Sequence, residues 1–357
     1  MDQAKAHRVL SGAGGGAGGA ILRAGLLVAS APYALLVRAR RWAHRNRLIP
    51  GDSLAKYKRP GSGHPIRVIS VGNLTTGGTG KTPMVAWVAH RLKAMGLRPG
   101  VLLRGYKADE GGSDEARLLR ELCGGCPVVA NPDRLAGAQE AMAAGAEVMV
   151  LDDGFQHLRL RRDLDIVLID ATNPFGYGWC LPRGLLREPA GALCDATDVV
   201  ITRSDAVSAD ALSALRAKLA MLAPQAGLHI AIHKPMHFLE GEKTHPLSEI
   251  AGKKVFAFCG IGNPEAFFKT LESLGATVAG KMELDDHIHY TDDVIRSVRE
   301  NASGCGAEVL VTTQKDGVKI TSPETGLPLW ELAVEMELVD GEATLAEKIK
   351  HVCSSRI

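Results

Sequence analysis

Short β-branched runs alternating with amphipathic stretches predict an α/β protein whose parallel sheet is covered on both faces. Apolar runs at 67–71 (RVISV), 101–103, 147–151 (EVMVL), 165–169, 199–202, 255–258 and 309–312 read as buried strands. Helical patterns at 83–95, 210–222 and 264–274 fall between them. The chain has 357 residues, more than one core usually holds, so two domains are expected.

Composition narrows the function classes. A net charge of +2 gives no argument for nucleic acid. The 7 cysteines are odd in number and scattered, which suits reduced thiols better than a disulfide framework. Cys123 and Cys126 form a C-x-x-C, but a zinc site would want a second Cys or His pair at similar spacing. The pair therefore reads as a turn.

The N-terminus poses a membrane question. Residues 12–19 are nearly all Gly and Ala and read as a flexible lead. An uncharged apolar run follows at 24–37 and contains Pro32. It is shorter than the ~20 residues a spanning helix needs. Arg23 precedes it, and Arg38, Arg40, Arg41, Arg45 and Arg47 follow. Three readings compete: a monotopic helix with its arginines on anionic headgroups, an Arg-rich targeting peptide, or a helix packed on the domain. The first is preferred, because no small-residue cleavage site follows the run cleanly.

The strongest local motif follows the strand at 67–71. It runs Gly72-Asn73-Leu74-Thr75-Thr76-Gly77-Gly78-Thr79-Gly80-Lys81-Thr82, with Pro83 in the first turn of the next helix. Strand, glycine loop, Gly-Lys-Thr and helix are the context a P-loop requires. Glycines let successive backbone N–H groups converge on phosphate oxygens, and the helix N-terminus adds a positive dipole. Lys81 would bridge the β- and γ-phosphates, and the Thr82 hydroxyl would ligate Mg²⁺. The loop is deviant, with Thr75 where the strict pattern has Gly.

A second apolar strand, 147–151, ends in Asp152-Asp153-Gly154. An acid at a strand's carboxyl end can reach Mg²⁺ or its water, as a Walker B acid does. Asp152 and Asp153 are thus candidate metal residues. A GTPase should carry Asn-Lys-x-Asp after a strand, and neither Thr202-Arg203-Ser204-Asp205 nor Thr313-Gln314-Lys315-Asp316 fits it well. The residues alone do not name the phosphate acceptor.

Together, G-N-L, G-G-T-G-K-T-P and Asp152-Asp153-Gly154-Phe155-Gln156-His157 resemble the tetraacyldisaccharide 4'-kinases, kinases of the lipid A disaccharide. Further matching stretches are Arg104-Gly105-Tyr106-Lys107, Asp114-Glu115, Asp133-Arg134, Leu186-Arg187-Glu188-Pro189, Gly260-Ile261-Gly262-Asn263-Pro264 and Asp286-His287. The family shares the deviant loop. The resemblance implies transfer of the ATP γ-phosphate, with Mg²⁺, to the 4'-hydroxyl of an acylated glucosamine disaccharide 1-phosphate. It also implies a P-loop NTPase-like parallel sheet domain, a smaller α/β/α domain and an N-terminal membrane-associated helix. The expected division is lead and helix 1–47, kinase domain 48–228, linker strand 229–240, smaller domain 241–328, and returning strand with C-terminal helix 329–357. A monomer at the cytoplasmic face of the bacterial inner membrane is expected, bound to an anionic lipid surface.

The resemblance also assigns roles. Asp114 would take the hydroxyl proton, Glu115 would help hold Mg²⁺, and His287 would tune Asp114 across closing domains. From the residues alone, Ser113-Asp114-Glu115 reads equally as a helix N-cap followed by first-turn acids. Asp285-Asp286-His287-Ile288-His289-Tyr290 reads as a solvated turn, although a metal cluster is conceivable there. Thr75, Thr76, Gly77, Gly78, Thr79, Gly80, Lys81, Thr82, Pro83 and Arg187 are the expected nucleotide contacts. Arg104, Arg134, Gln156 and His157 are substrate candidates, since guanidinium forks match phosphate oxygens. Arg183 departs from the usual family pattern and is expected to alter substrate contacts. Two other classes compete: a membrane-associated P-loop ATPase switch without lipid phosphorylation, and a kinase of a soluble small molecule.

Overall fold

The computed structural model describes residues 9–12, 16–60, 62–105, 113–285, 288–320 and 326–355. The chain forms two compact units: residues 1–232 with 336–357, and residues 233–335.

In the larger unit the strands are β1 (Arg67–Asn73), β2 (Pro99–Leu103), β3 (Val128–Ala130), β4 (Val148–Asp152), β5 (Leu164–Asp170), β6 (Asp198–Thr202) and the first part of β7 (Gly227–Glu240). They lie in the order β3-β2-β4-β1-β5-β6-β7, each adjacent pair parallel. Central strands buried on both faces need continuous apolar runs, and β4, β5 and β6 are buried along their whole length. One face is covered by the helix Lys81–Ala94, whose Met84, Val85, Val88 and Leu92 pack on Ile69, Val71, Val148 and Val150.

In the smaller unit the short β8 (Lys243–His245) pairs antiparallel with the end of β7, and the main strands are β9 (Lys254–Cys259), β10 (Thr277–Glu283), β11 (Val309–Thr313) and the first part of β12 (Leu329–Asp340), in the parallel order β10-β9-β11-β12. Helix Pro264–Ser273 places Phe267, Phe268 and Leu271 against this sheet, with Phe238 and Trp330 in the same core. The chain passes between the units along β7 and β12.

Two expectations about the N-terminus are corrected. The glycines at 16–19 are not a flexible lead, because the first long helix runs Gly16–Arg45. Interspersed alanines, the best helix formers, support those glycines, and the helix continues through Pro32 despite the lost hydrogen bond. Its extra turns also overturn the reading of a segment too short to span. The stretch Gly18–Arg45 is long and apolar enough to cross a membrane, by length and composition only, and is almost wholly unburied. Ile21, Val28, Leu35 and Trp42 recur at every seventh position and all are exposed, so they form one apolar stripe. Ser30 and Arg41 are buried toward the larger unit.

Candidate active site

Register brings the two phosphate motifs together. Val71 of β1 is level with Asp152 of β4, so the strand entering the glycine loop and the strand ending in two aspartates finish side by side. The turn after β4 folds onto β1 with no room to spare. A Cβ on Gly72 would stand 2.6 Å from the Phe155 Cβ and 2.8 Å from its backbone nitrogen. Gly72 is therefore required by close approach.

Past Asn73 the loop is held on one side by the segment carrying Arg187. Thr75 bridges Leu186, the Thr76 N–H donates to the Leu185 carbonyl at 2.8 Å, and the Arg187 N–H donates to the Leu74 carbonyl at 2.7 Å. Thr76, Gly77 and Gly78 form the exposed apex. Gly80, at φ 91°, occupies the left-handed region as the helix begins, a conformation that glycine adopts without strain. Thr79 is buried, and its carbonyl accepts the Thr202 hydroxyl at 3.0 Å. Lys81, Thr82 and Pro83 open the helix Lys81–Ala94, all half-buried.

Charges converge at the mouth of this loop. Arg187 donates to both Asp153 carboxylate oxygens at 2.7 Å and also to the Asn73 side chain and carbonyl. Lys81 Nζ lies 3.4 Å from Asn73 Oδ1 and 3.8 Å from Asp153. Burial works to raise the Asp153 carboxyl, but the Arg187 hydrogen bonds and the charges of Lys81, Arg187 and Arg134 outweigh it and hold it at about 2. Asp153 thus holds cationic side chains in place in this arrangement.

Asp152 is the opposite case. Burial pushes its carboxyl up to about 7; Lys81 and Arg134 pull it down, while Glu115 and Asp153 push it further up. Its Oδ1 is buried without a hydrogen-bond partner, as are Thr79 Oγ1 and the Gln156 side-chain oxygen. A buried carboxylate oxygen without a partner, at the strand end beside the glycine loop, is what a site for a hard divalent cation needs, since such ions take oxygen ligands. The residues present therefore fit Mg²⁺, with Asp152 as its first candidate ligand.

The remaining candidates fall around this centre. Ser113 caps the helix Asp114–Leu122 by accepting from the Ala116 N–H, so Asp114 and Glu115 are first-turn acids; Glu115 is exposed yet close enough to act on Asp152. Asp133 caps the helix Arg134–Ala143, and its hydrogen bonds from Ala136 and Leu135 hold its own carboxyl below the usual range. Arg134 is buried and donates to the carbonyls of Asn131 at 2.8 Å and Asp152 at 3.5 Å, so it braces the aspartate strand. Gln156 Nε2 donates to the Asn73 carbonyl at 3.0 Å. His157 is driven to about 4, by burial first and then by Arg134, Arg162, Arg40 and Arg159. Arg104 is exposed just past β2. His287, with Asp286, Tyr106 and Lys107, lies outside the described residues.

Sequence reasoning missed Asn73, which accepts from both Lys81 and Arg187. The available signal was its place between a close-approach glycine and the loop. The expectation for Arg183 is also revised: its guanidinium donates to the Leu10 carbonyl at 2.9 Å and its N–H to Ser30 Oγ at 3.0 Å, so it serves the N-terminal segment. The C-x-x-C is an apolar turn. Cys123 and Cys126 are buried, and the Cys123 thiol is pushed up to about 12 by burial. Among the described residues no three or more His, Cys, Asp or Glu cluster into a metal site of their own, so a cation at Asp152 would draw its other ligands from hydroxyl, phosphate and water oxygens.

With this geometry in view, comparison with known proteins is decisive. The family model of LpxK, tetraacyldisaccharide-1-P 4'-kinase, matches residues 22–354. The chain belongs to this family. A tetraacyldisaccharide 4'-kinase of Syntrophus aciditrophicus (strain SB) is 40% identical over 303 residues, covering 77% of this chain and 81% of that protein. One from Halothermothrix orenii is 34% identical over 355 residues, covering 89% of each. The crystal structure of the "apo" form of LpxK from Aquifex aeolicus in complex with ATP aligns with a TM-score of 0.71 at 27% identity, covering 93% of this chain and 99% of that one. The deviant loop, the Asp-Asp-Gly-Phe turn and the Arg187 segment all lie inside the matched span.

Proposed function

We propose that this chain transfers the γ-phosphate of ATP to the 4'-hydroxyl of a tetraacyldisaccharide 1-phosphate, a late step in making lipid A, as a monomer at the cytoplasmic face of the inner membrane. The observation that carries the reading is the meeting of the glycine loop with Asp152, whose buried Oδ1 lacks a partner. Family membership supplies the acceptor.

In this reading the loop N–H groups and the Lys81 ammonium bind the nucleotide phosphates. Lys81 leaves Asn73 and Asp153 to do so, and Arg187 keeps Asp153 in place as it moves. Asp152 and Thr82, with Glu115 nearby, would hold Mg²⁺, whose charge offsets that of the phosphates. Asp114 takes the 4'-hydroxyl proton as the sugar oxygen bonds to the γ-phosphorus and the bond to the β–γ bridging oxygen breaks, releasing ADP. The apolar stripe of the N-terminal helix lies in the lipid, with the flanking arginines at the anionic headgroups.

The test is transfer from γ-labelled ATP to a detergent-dispersed acylated glucosamine disaccharide 1-phosphate with Mg²⁺. Wild type should label the lipid, and Lys81→Ala and Asp114→Ala should each lose transfer by orders of magnitude. ATP hydrolysis with no labelled lipid would sink the kinase reading and favour a membrane ATPase switch.

A further inference from the structure

The N-terminal helix is tied to the rest of the larger unit by buried polar contacts. Arg41 sits on its inner face, buried, with its guanidinium shared among three partners. It pairs with Glu188, which is 1% exposed, reaches Asp195 at 3.0 Å and donates to the Phe155 carbonyl at 3.3 Å. It also lies over the Phe155 ring, 4.4 Å from the centroid. Two neighbours act in the same place. Tyr33 donates its hydroxyl to the Arg187 carbonyl at 2.9 Å, and Arg40 reaches the Gln156 carbonyl at 3.3 Å.

These partners are not scattered over the domain. Glu188 follows Arg187, which holds Asp153 and Asn73, and Phe155 and Gln156 belong to the turn that leaves Asp153. The helix therefore grips both segments that flank the glycine loop. A planar fork between a carboxylate and a carbonyl sets the distance between the two segments, which a flexible ammonium does less well.

We propose that Arg41 is a positioning residue for the nucleotide site, coupling the docked N-terminal helix to the Arg187 segment and the Asp153–Phe155 turn. This rests on the reading of the glycine loop as the ATP site. ATP affinity then depends on the helix independently of its hold on lipid. Without the Arg41 contacts, the Arg187 segment and the turn lose a support they share.

The experiment uses full-length protein and three readouts: equilibrium titration with a fluorescent ATP analogue, KM and kcat for ATP with the detergent-dispersed disaccharide, and flotation on phosphatidylethanolamine–phosphatidylglycerol vesicles. Arg41→Met should weaken analogue binding and raise the ATP KM by about tenfold, a change of about 1.4 kcal/mol. Flotation should match wild type, because the apolar stripe is untouched. Arg41→Lys should recover only part of the affinity, and Tyr33→Phe, which removes one hydrogen bond, should show a smaller shift of the same sign. Because Arg41→Met strands Glu188, the double variant Arg41→Met with Glu188→Gln provides a folded comparison with no buried unpaired charge, and it should also bind ATP weakly. Wild-type ATP affinity and KM in either folded variant would overturn the proposal. So would failure of both to fold together with an unchanged Tyr33→Phe. Lys81→Ala runs alongside: if it kept wild-type analogue binding, the ATP-site reading itself would fall, whatever Arg41 does.

Discussion

Two buried aspartates, Asp152 and Asp316, each lie at the carboxyl end of a parallel sheet, in opposite surroundings. Asp152 ends β4 with Oδ1 unpartnered and its carboxyl pushed up to about 7 by burial. Asp316, just past β11, accepts from the Gly260 N–H at 3.0 Å, the Thr313 hydroxyl at 2.8 Å and the Lys319 ammonium at 3.1 Å. Both strand ends meet a helix N-terminus and a glycine turn. One site leaves a buried carboxylate oxygen unpaired for whatever ligand enters; the other satisfies its aspartate internally. An unpaired buried carboxylate costs stability, so its persistence points to function, whereas a fully hydrogen-bonded one specifies local structure.

Exchanging the expected roles is the way to break this contrast. The largest effect should be on catalysis: Asp152→Asn should lower labelled-phosphate transfer by about 10²–10³-fold, the scale of losing one electrostatic group at a transition state. If Asp316→Asn did the same at unchanged stability, the division of labour would be wrong. Next comes the cost of stranding a charge. Asp316→Ala leaves Lys319, 4% exposed along its side chain, without its carboxylate, and should cost about 3–5 kcal/mol in urea unfolding.

The pH dependence sharpens the comparison further. A carboxyl raised from 3.8 to about 7 on folding is protonated in both states below about pH 4, so it carries no penalty there. Between pH 4 and 7 only the unfolded state gives up the proton, so stability falls as pH rises, and above 7 the full penalty remains. Ligand-free Asp152→Asn should therefore match wild type near pH 4 and exceed it by on the order of 4 kcal/mol at pH 8. Equal pH profiles for the two proteins would show that Asp152 is not desolvated as described. The smallest effect belongs to the cap that orients Asp114. Ser113→Ala should cost about 1 kcal/mol of stability. A larger fall in kcat than in thermal midpoint would show that the cap serves the base as well as the helix.

Much of the fold was legible because parallel strands buried on both faces must be continuous apolar runs. The runs at 147–151 and 165–169 became β4 and β5 with each bound shifted by one residue. The strands Val128–Ala130 and Thr277–Glu283 were not read from the pattern. The first is three residues long, and the second lies at a sheet edge with alternating burial and a register shift between Val278 and Gly280. The N-terminal helix was recognised, but its start was misplaced, because glycine-rich composition signals flexibility only where no neighbouring turn supports a helix.

What the sequence by itself determined was the chemistry in its local patterns: a phosphate loop between strand and helix, two aspartates at a strand end, a cap before two acids, and an apolar helix edged with arginine. These follow from backbone hydrogen bonding and side-chain period, which act over a few residues. The tertiary structure alone decided that Arg187 clamps Asp153, that Asn73 receives Lys81, that Arg41 meets Glu188 across 147 positions, and that Asp152 Oδ1 is left without a partner while Asp316 is satisfied. Such pairings depend on strand register and on which crossover brings a distant loop to the same sheet end, and no local pattern carries that information.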